Sequence, residues 1–481
     1  MNITNILKNK VFFYLSSRYL TYGLQFVTSL IIAAKLGPYY FGIWGFLLLL
    51  LQYFQQCHFG IYNSFSVLYV QHRDNPNQCK TYVLNALLLE TYLAILVIII
   101  LCVYLINGGE LFKKYDADKY FIWVCVIAIL QYFQSLIVNI FRVKNLLNYV
   151  TVCQSIIVIL NFICIFFFEG ELLINILLAG YIIGNLLALV LAWTSGVLNI
   201  KGADVSRVYQ GEIIKKGFLL FLYNTSFYFI IISIRTIISS NYTVEEFGQF
   251  TFSFSLAHAV LLLLEAIVFV VFPKVIGKLS SNNDEDVSRA IAQYRTIYTT
   301  SAHGLIYSAI IFFPVLISFF PKYNGALNSM YMIALTVLIN TCGCGYSDLL
   351  IARNKERILS IVSIVALVLN CIIALFLVKI LAVDFSYVIL ASMISYMVLC
   401  YMVVSIGQKI LNDGGVKKVM AILFPLRLYI PFVIAFVLSF LQVKYLMFLP
   451  LIVFIVLNPK ECKTIVSMVK TIIVKPSVVD L

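Results

Sequence analysis

The chain of 481 residues is 62% hydrophobic and 11% charged, with 34 Lys and Arg against 21 Asp and Glu. A soluble domain is about 25% charged, and a mean hydropathy of +0.99 leaves too little polar surface to cover a soluble fold of this length. These figures exclude a soluble enzyme on one anchor and a transmembrane β-barrel, whose polar lumen residues would lower the average, and leave an all-α polytopic membrane protein.

A bilayer core of about 30 Å takes about 20 apolar residues per helix. In chain order, runs of that kind lie near 11–34, 41–69, 81–106, 119–141, 149–168, 172–195, 217–240, 247–273, 294–320, 326–351, 358–382, 385–408, 420–440 and 442–458, about 14 transmembrane helices. The opening stretch MNITNILKNKVFFYLSSRYL is interrupted by Arg18 and lacks a small-residue cleavage site, so it reads as the first retained span. With both termini in the cytoplasm, the inner segments hold 24 Lys and Arg, the outer loops 7 and the spans 3. That bias sets the orientation and supports an even count. No loop is long: the two largest, 196–216 and 274–293, are both cytoplasmic, and the longest outer loop is about a dozen residues.

The eleven Cys show no metal-ligand spacing and read as small buried thiols; Cys342-Gly-Cys344 has no second pair and no neighbouring His. No P-loop motif occurs, so no ATPase is built in. Asp116-Ala-Asp118 resembles the D-x-D of sugar transferases but lies in a short outer loop without a transferase domain. No cofactor and no metal site are expected, and nucleic acid is not expected as a partner.

Two stretches align at an offset of 206: SLIIAAKLGPYYFGIWGFLLLL (29–50) and RTIISSNYTVEEFGQFTFSFSL (235–256). Tyr22 matches Tyr228, Phe41 matches Phe247 and Gly42 matches Gly248. Six spans separate the copies, so both have one orientation, the mark of a two-lobed transporter with a midplane cavity. The expected domains are an N-terminal six-helix bundle (1–200), a pseudo-symmetric C-terminal bundle (201–410), and two appended helices with a cytoplasmic tail (411–481).

Polar residues inside a span are costly and mark cavities or partners. Helix 1 carries Arg18, Tyr22, Gln25 and Ser29 on one face; helix 2 carries Gln52, Gln56, Asn63 and Ser66; helix 7 carries Asn224, Tyr228, Arg235 and Ser239; helix 8 carries Thr251, Ser255, His258 and Glu265. These are the paired helices of the repeat, and their stripes are expected to face one cavity. Relative to the repeat, Arg235 lies 11 residues beyond the position of Arg18, about 16 Å along the helix. Two guanidinium groups at different depths suit an anionic cargo that moves between them. The alternatives are that Arg18 snorkels to the inner interface and that Arg235 pairs structurally with Glu265 or Glu90. Glu90, Glu265 and Asp348 are the candidates for binding a coupling proton or Na⁺. Gly180-x-x-x-Gly184 reads as close helix packing, and His58, His258 and His303 as helix-packing residues.

The stretch Leu36-Gly-Pro-Tyr-Tyr-Phe-Gly-Ile-Trp-Gly45 resembles the LGP-x-x-FG-x-(Y/W) signature of Wzx-type O-antigen and polysaccharide flippases, in the MATE-like multidrug/oligosaccharidyl-lipid/polysaccharide (MOP) exporter superfamily. The resemblance implies a flippase that carries an undecaprenyl-pyrophosphate-linked oligosaccharide, an O-antigen or capsular repeat unit, across the bacterial inner membrane. It implies alternating access through a partly cationic cavity, and partners among the polymerase and chain-length regulator of a lipopolysaccharide-type pathway. Members often carry an Asp in helix 7 where this chain has Arg235, so that acidic site does not carry over. The competing readings are a cation-coupled multidrug antiporter of the same superfamily and a membrane polysaccharide polymerase. The polymerase usually needs a larger outer loop than this chain offers.

Overall fold

The computed structural model describes residues 10–108, 113–257, 259–260, 279, 283–411 and 415–465. Every regular element among them is helical. The chain divides into two compact units, Met1–Thr225 and Ser226–Leu481.

The first unit contains α1 (Lys10–Gln56), α2 (Ile61–Gln71), α3 (Pro76–Ile106), α4 (Phe121–Val143), α5 (Leu147–Cys164), α6 (Gly170–Thr194) and the first half of α7 (Arg207–Asn241). α1 is two helices joined at Gly37, which is non-helical (φ 67°, ψ 172°) and stands directly before Pro38. Glycine supplies the positive φ, and proline suits the first turn of the second helix. The division falls between the expected spans 11–34 and 41–69. Asn75 caps α3 by accepting from the Gln78 amide.

Small residues set the closest approaches in this unit. A Cβ on Gly180 would stand 2.2 Å from Asn161 Oδ1, and one on Gly184 would stand 2.5 Å from Ile157 Cγ1. The Gly-x-x-x-Gly face of α6 is therefore filled by α5, as in membrane helix pairs held by backbone proximity. The core continues through Phe65, Leu136, Ile140, Phe141 and Ile213, all buried.

The second unit contains the rest of α7, α8 (residues 244–257), α9 (Asp284–Phe319), α10 (Ala326–Thr341), α11 (Tyr346–Ala352), α12 (Glu356–Lys379), α13 (Leu390–Ile410), α14 (Val416–Leu423), α15 (Leu426–Phe440), α16 (Leu449–Leu457) and α17 (Pro459–Ile465). A capping box starts α8: the Thr243 amide and hydroxyl donate to Glu246 Oε2 at 2.8 Å each, and the Glu246 amide donates back to Thr243 Oγ1 at 3.2 Å. Buried Asn370 on α12 donates to the Ile230 carbonyl (2.9 Å) and to Ser233 Oγ (2.8 Å) on α7, and accepts from Ser392 Oγ (3.0 Å) on α13. This closed polar triad ties three helices at a depth where water cannot serve.

Among the described residues nine helices are long and apolar enough to cross a membrane, or up to twelve if each bent pair is one span. α10 and α11 meet at 44°, α14 and α15 at 59°, and the segment ending in α16 meets α17 at 91°. The expected spans 326–351 and 420–440 are thus broken elements rather than straight helices, while the third bend falls at the end of the expected span 442–458. The most apolar stretches of α3 and α12 are only 33% and 28% buried inside the protein. Such surface needs lipid around it. This is a multi-pass membrane protein.

Candidate functional site

The continuous 41–69 helix expected from hydropathy is interrupted at residues 57–60, between α1 and α2. Phe59 (φ 48°) and Gly60 (φ 75°) both adopt left-handed backbone, which ends a helix. Tertiary contact fixes the break here. α7 crosses at Gly217, and a Cβ on Gly60 would stand 2.9 Å from the Gly217 carbonyl oxygen. The polar stripe on helix 2 is therefore not one face: Gln52 and Gln56 belong to α1, while Asn63 and Ser66 belong to α2 beyond the turn.

The break is fastened by His58. Its Nδ1 accepts the Gly60 amide at 2.9 Å, and its Nε2 lies 3.0 Å from the Tyr62 hydroxyl. Beside it is a polar cavity of about 230 Å³ lined by Gln55, Gln56, His58, Tyr62, Glu90, Gln131, Tyr132 and Ser135. Gln55 donates to Gln131 at 2.9 Å, and Tyr132 donates to the Phe54 carbonyl at 2.8 Å. Glu90 is fully buried, and among the described residues neither of its carboxyl oxygens has a hydrogen-bond partner. Sequence reading singled out Gln56 and Glu90. It missed Gln131 and Ser135, which share a face of α4 at a spacing of four, and treated His58 as packing.

Arg18 is half-buried on α1 and turned onto α5. Its Nε donates to the Tyr22 hydroxyl at 2.8 Å, its Nη1 donates to Gln154 Oε1, and the guanidinium lies 4.8 Å from the Tyr22 ring centre. One turn along, Thr21 and Ser155 hydroxyls are 2.7 Å apart. Among the described residues these partners are neutral, so the charge is held in place without a carboxylate. Arg18 and Tyr22 come together as the helical spacing requires, and Gln25 is exposed.

In the first unit Asn224 on α7 is exposed, and in the second Tyr228 is exposed as well. Arg235 is buried between two rings of α8, 5.9 Å from the centre of Phe247 and 5.3 Å from that of Phe254, a cation–π setting. Asp348 is half-buried in the first turn of α11. His258 and Glu265 lie outside the described residues.

The second unit also holds a cavity of about 270 Å³ whose charged lining residues are Arg295, Lys418 and Arg427. Buried Arg295 donates to the carbonyls of Cys342 and Cys344 at the end of α10 and to Ile422 (2.9 Å). A cation on the exposed carbonyls of a helix C-terminus is favourable. Arg427 is paired with Glu461. Arg295 escaped notice because it sits at the margin of the 294–320 run. Its signal was the i, i+4, i+8 series Arg295, Thr299, His303 on one face, the pattern that drew attention to Arg18.

Residues 7–279 match the family described as "Polysaccharide biosynthesis protein", more than half of the 481 residues. The chain belongs to this family. No curated protein matches the sequence. The fold of this family member is similar to that of a multidrug resistance MATE family transporter of the MOP superfamily in its inward-facing conformation, with TM-score 0.68 and 12% identity over 82% of this chain and 94% of that one. It is similar to the lipid II flippase MurJ in an inward closed conformation, with TM-score 0.64 and 15% identity over 94% and 98%. A MOP superfamily transporter from Pyrococcus furiosus, described as having a binding pocket of reverse polarity, gives TM-score 0.50 and 14% identity over 83% and 93%. At these identities the likeness is one of fold, and the fold is all-helical and MATE-like.

Proposed function

We propose that this protein is a flippase that moves an undecaprenyl-pyrophosphate-linked oligosaccharide, a repeat unit of O-antigen or capsule, from the inner to the outer leaflet of the bacterial inner membrane. The observation that carries the reading is the family match over residues 7–279, and the likeness in fold to a MATE transporter and to a lipid II flippase supports a role in transport. In this reading both termini are cytoplasmic and transport proceeds by alternating access. Arg18 and Arg235 serve the pyrophosphate and any acidic sugar. Arg18 suits the task because its present partners, Tyr22 and Gln154, are neutral, so an arriving anion displaces hydrogen bonds and not an ion pair.

The test is deletion of the gene, then leaflet-resolved analysis of lipid-linked sugars. Complete repeat units should accumulate on the inner leaflet, and Arg18→Ala or Arg235→Ala should fail to restore export at normal protein levels. Unpolymerised units already outside would instead make the protein a polymerase. Unchanged sugars with altered cation or drug sensitivity would make it an antiporter.

A further inference from the structure

The cavity at the break between α1 and α2 contains a group that transport of an anionic cargo does not explain. Glu90 is fully buried in a membrane-spanning helix, with both oxygens unpartnered among the described residues. Its own helix has one other charged residue, Lys80, ten residues away and directed at the Lys201 carbonyl. From the break and α2, the titratable groups that line the cavity with it are His58 and Tyr62, and from α4 it is Tyr132; Cys57 at the break and Arg142 on α4 lie outside that lining. Arg142 stands eleven residues beyond Gln131, about 16 Å along the helix, and donates to Ser66 at 3.3 Å. α7 presents the apolar ring of Phe221 to His58, 5.4 Å between centres, and its Lys216 is held by Gln71. No cation is thus in reach of the Glu90 carboxyl among the described residues.

An ionised carboxylate in such a place costs several kcal/mol, whereas the neutral acid costs far less. We propose that Glu90 is a proton-binding site linked to the geometry of the helix break: it carries a proton in this structure, and losing that proton to water in the cavity draws in the Tyr62 hydroxyl. The hydrogen-bond order at the break supplies the link. Because His58 Nδ1 accepts from Gly60, the ring proton of neutral His58 is on Nε2 and is donated to the Tyr62 oxygen. The proton of Tyr62 itself is then free to turn into the cavity. A carboxylate at Glu90 is the strongest acceptor lining that cavity, and a Tyr62 shifted toward it pulls on the His58 that fastens the turn. The oxidation states are unchanged; one proton leaves Glu90 and one hydrogen bond is gained. This inference holds whatever the cargo is, so it survives a failure of the flippase reading.

Cys57 sits at the break and is exposed. The test is the labelling rate of Cys57 by membrane-permeant N-ethylmaleimide as a ratio to that of glutathione in the same sample, read by peptide mass spectrometry on the full-length protein in lipid vesicles across pH. A one-proton linkage changes the ratio by up to about tenfold per pH unit in the titrating range. The wild type should titrate. Glu90→Gln should stay at the low-pH value, and Glu90→Asp should titrate with a displaced midpoint. Tyr62→Phe should lose the dependence on pH while a protonated-carboxyl infrared band still disappears as pH rises. A ratio flat in the wild type, a Glu90→Gln variant that titrates unchanged, or a ratio that tracks Na⁺ at fixed pH and not protons would each overturn the proposal. If Glu90→Gln does not fold, absence of the infrared band from wild-type protein at neutral pH does the same.

Discussion

Gly60 is where backbone conformation and helix contact coincide, and Gly60→Ala separates the two costs. At φ 75° an alanine is left-handed, and its Cβ would stand 2.9 Å from the Gly217 carbonyl oxygen and 3.0 Å from Phe221 Cβ. The left-handed conformation costs about 1–2 kcal/mol. The clash is with backbone, so no rotamer change relieves it, and overpacking of this kind costs about 1–3 kcal/mol. The variant should lose about 2–5 kcal/mol in all. Gly217→Ala isolates the second part: it lies in a helix and its Cβ would meet Ser64 Oγ at 2.2 Å and the Gly60 carbonyl at 2.9 Å. Its loss should be about 1–3 kcal/mol, partly recovered by adding Ser64→Ala. Gly211→Ala and Gly23→Ala, helical positions with no atom within 4 Å of the added Cβ, should gain up to about 1 kcal/mol. Denaturation of the purified protein in detergent ranks the variants. Equal midpoints for Gly60→Ala and Gly211→Ala would refute both the left-handed turn and the α2–α7 contact.

Thr243→Ala removes one side of the capping box at α8 and should cost about 1 kcal/mol, visible as a lowered unfolding midpoint and faster amide exchange over the first turn. Asn370→Ala removes the side chain that joins α7, α12 and α13, leaving the Ile230 carbonyl only the Ser233 and Ser392 hydroxyls as side-chain donors; at about 1–3 kcal/mol it should destabilise more than Thr243→Ala in the same assay. Gly184→Leu should separate α5 from α6 and abolish stable folding, because Ile157 Cγ1 already lies 2.5 Å from where a Cβ would be. Arg18→Lys should retain charge yet lose export, since a single ammonium cannot engage Tyr22 and Gln154 as the guanidinium does.

Hydropathy made the membrane helices legible because the bilayer requires every backbone polar group to be satisfied within the helix and every lipid-facing side chain to be apolar. That rule acts on composition and needs no knowledge of neighbours. The Leu36–Gly45 stretch pointed to the family for a related reason: Gly37 and Pro38 impose a local conformation, and Phe41 is buried directly behind it. The Gly180 and Gly184 packing face was equally local, two small residues one turn apart.

The helix break at residues 57–60 was not legible. Its run of residues carries no Pro and a single Gly, and it is the Gly217 backbone, over 150 positions away, that packs against the turn at Gly60. Glu90 could be noticed from the sequence, but nothing in the sequence showed that it would be left without a partner beside His58, Tyr62 and Gln131. Arg18 and Arg235 stand out in the sequence as charges inside spans. Their surroundings, Gln154 for one and the rings of Phe247 and Phe254 for the other, depend on which helix covers which face. The sequence by itself determined a polytopic helical protein and the family-marking turn, because lipid and local backbone sterics act residue by residue. The tertiary structure alone decided where helices break and which buried polar groups go unpaired, because both depend on contacts between residues far apart in the chain.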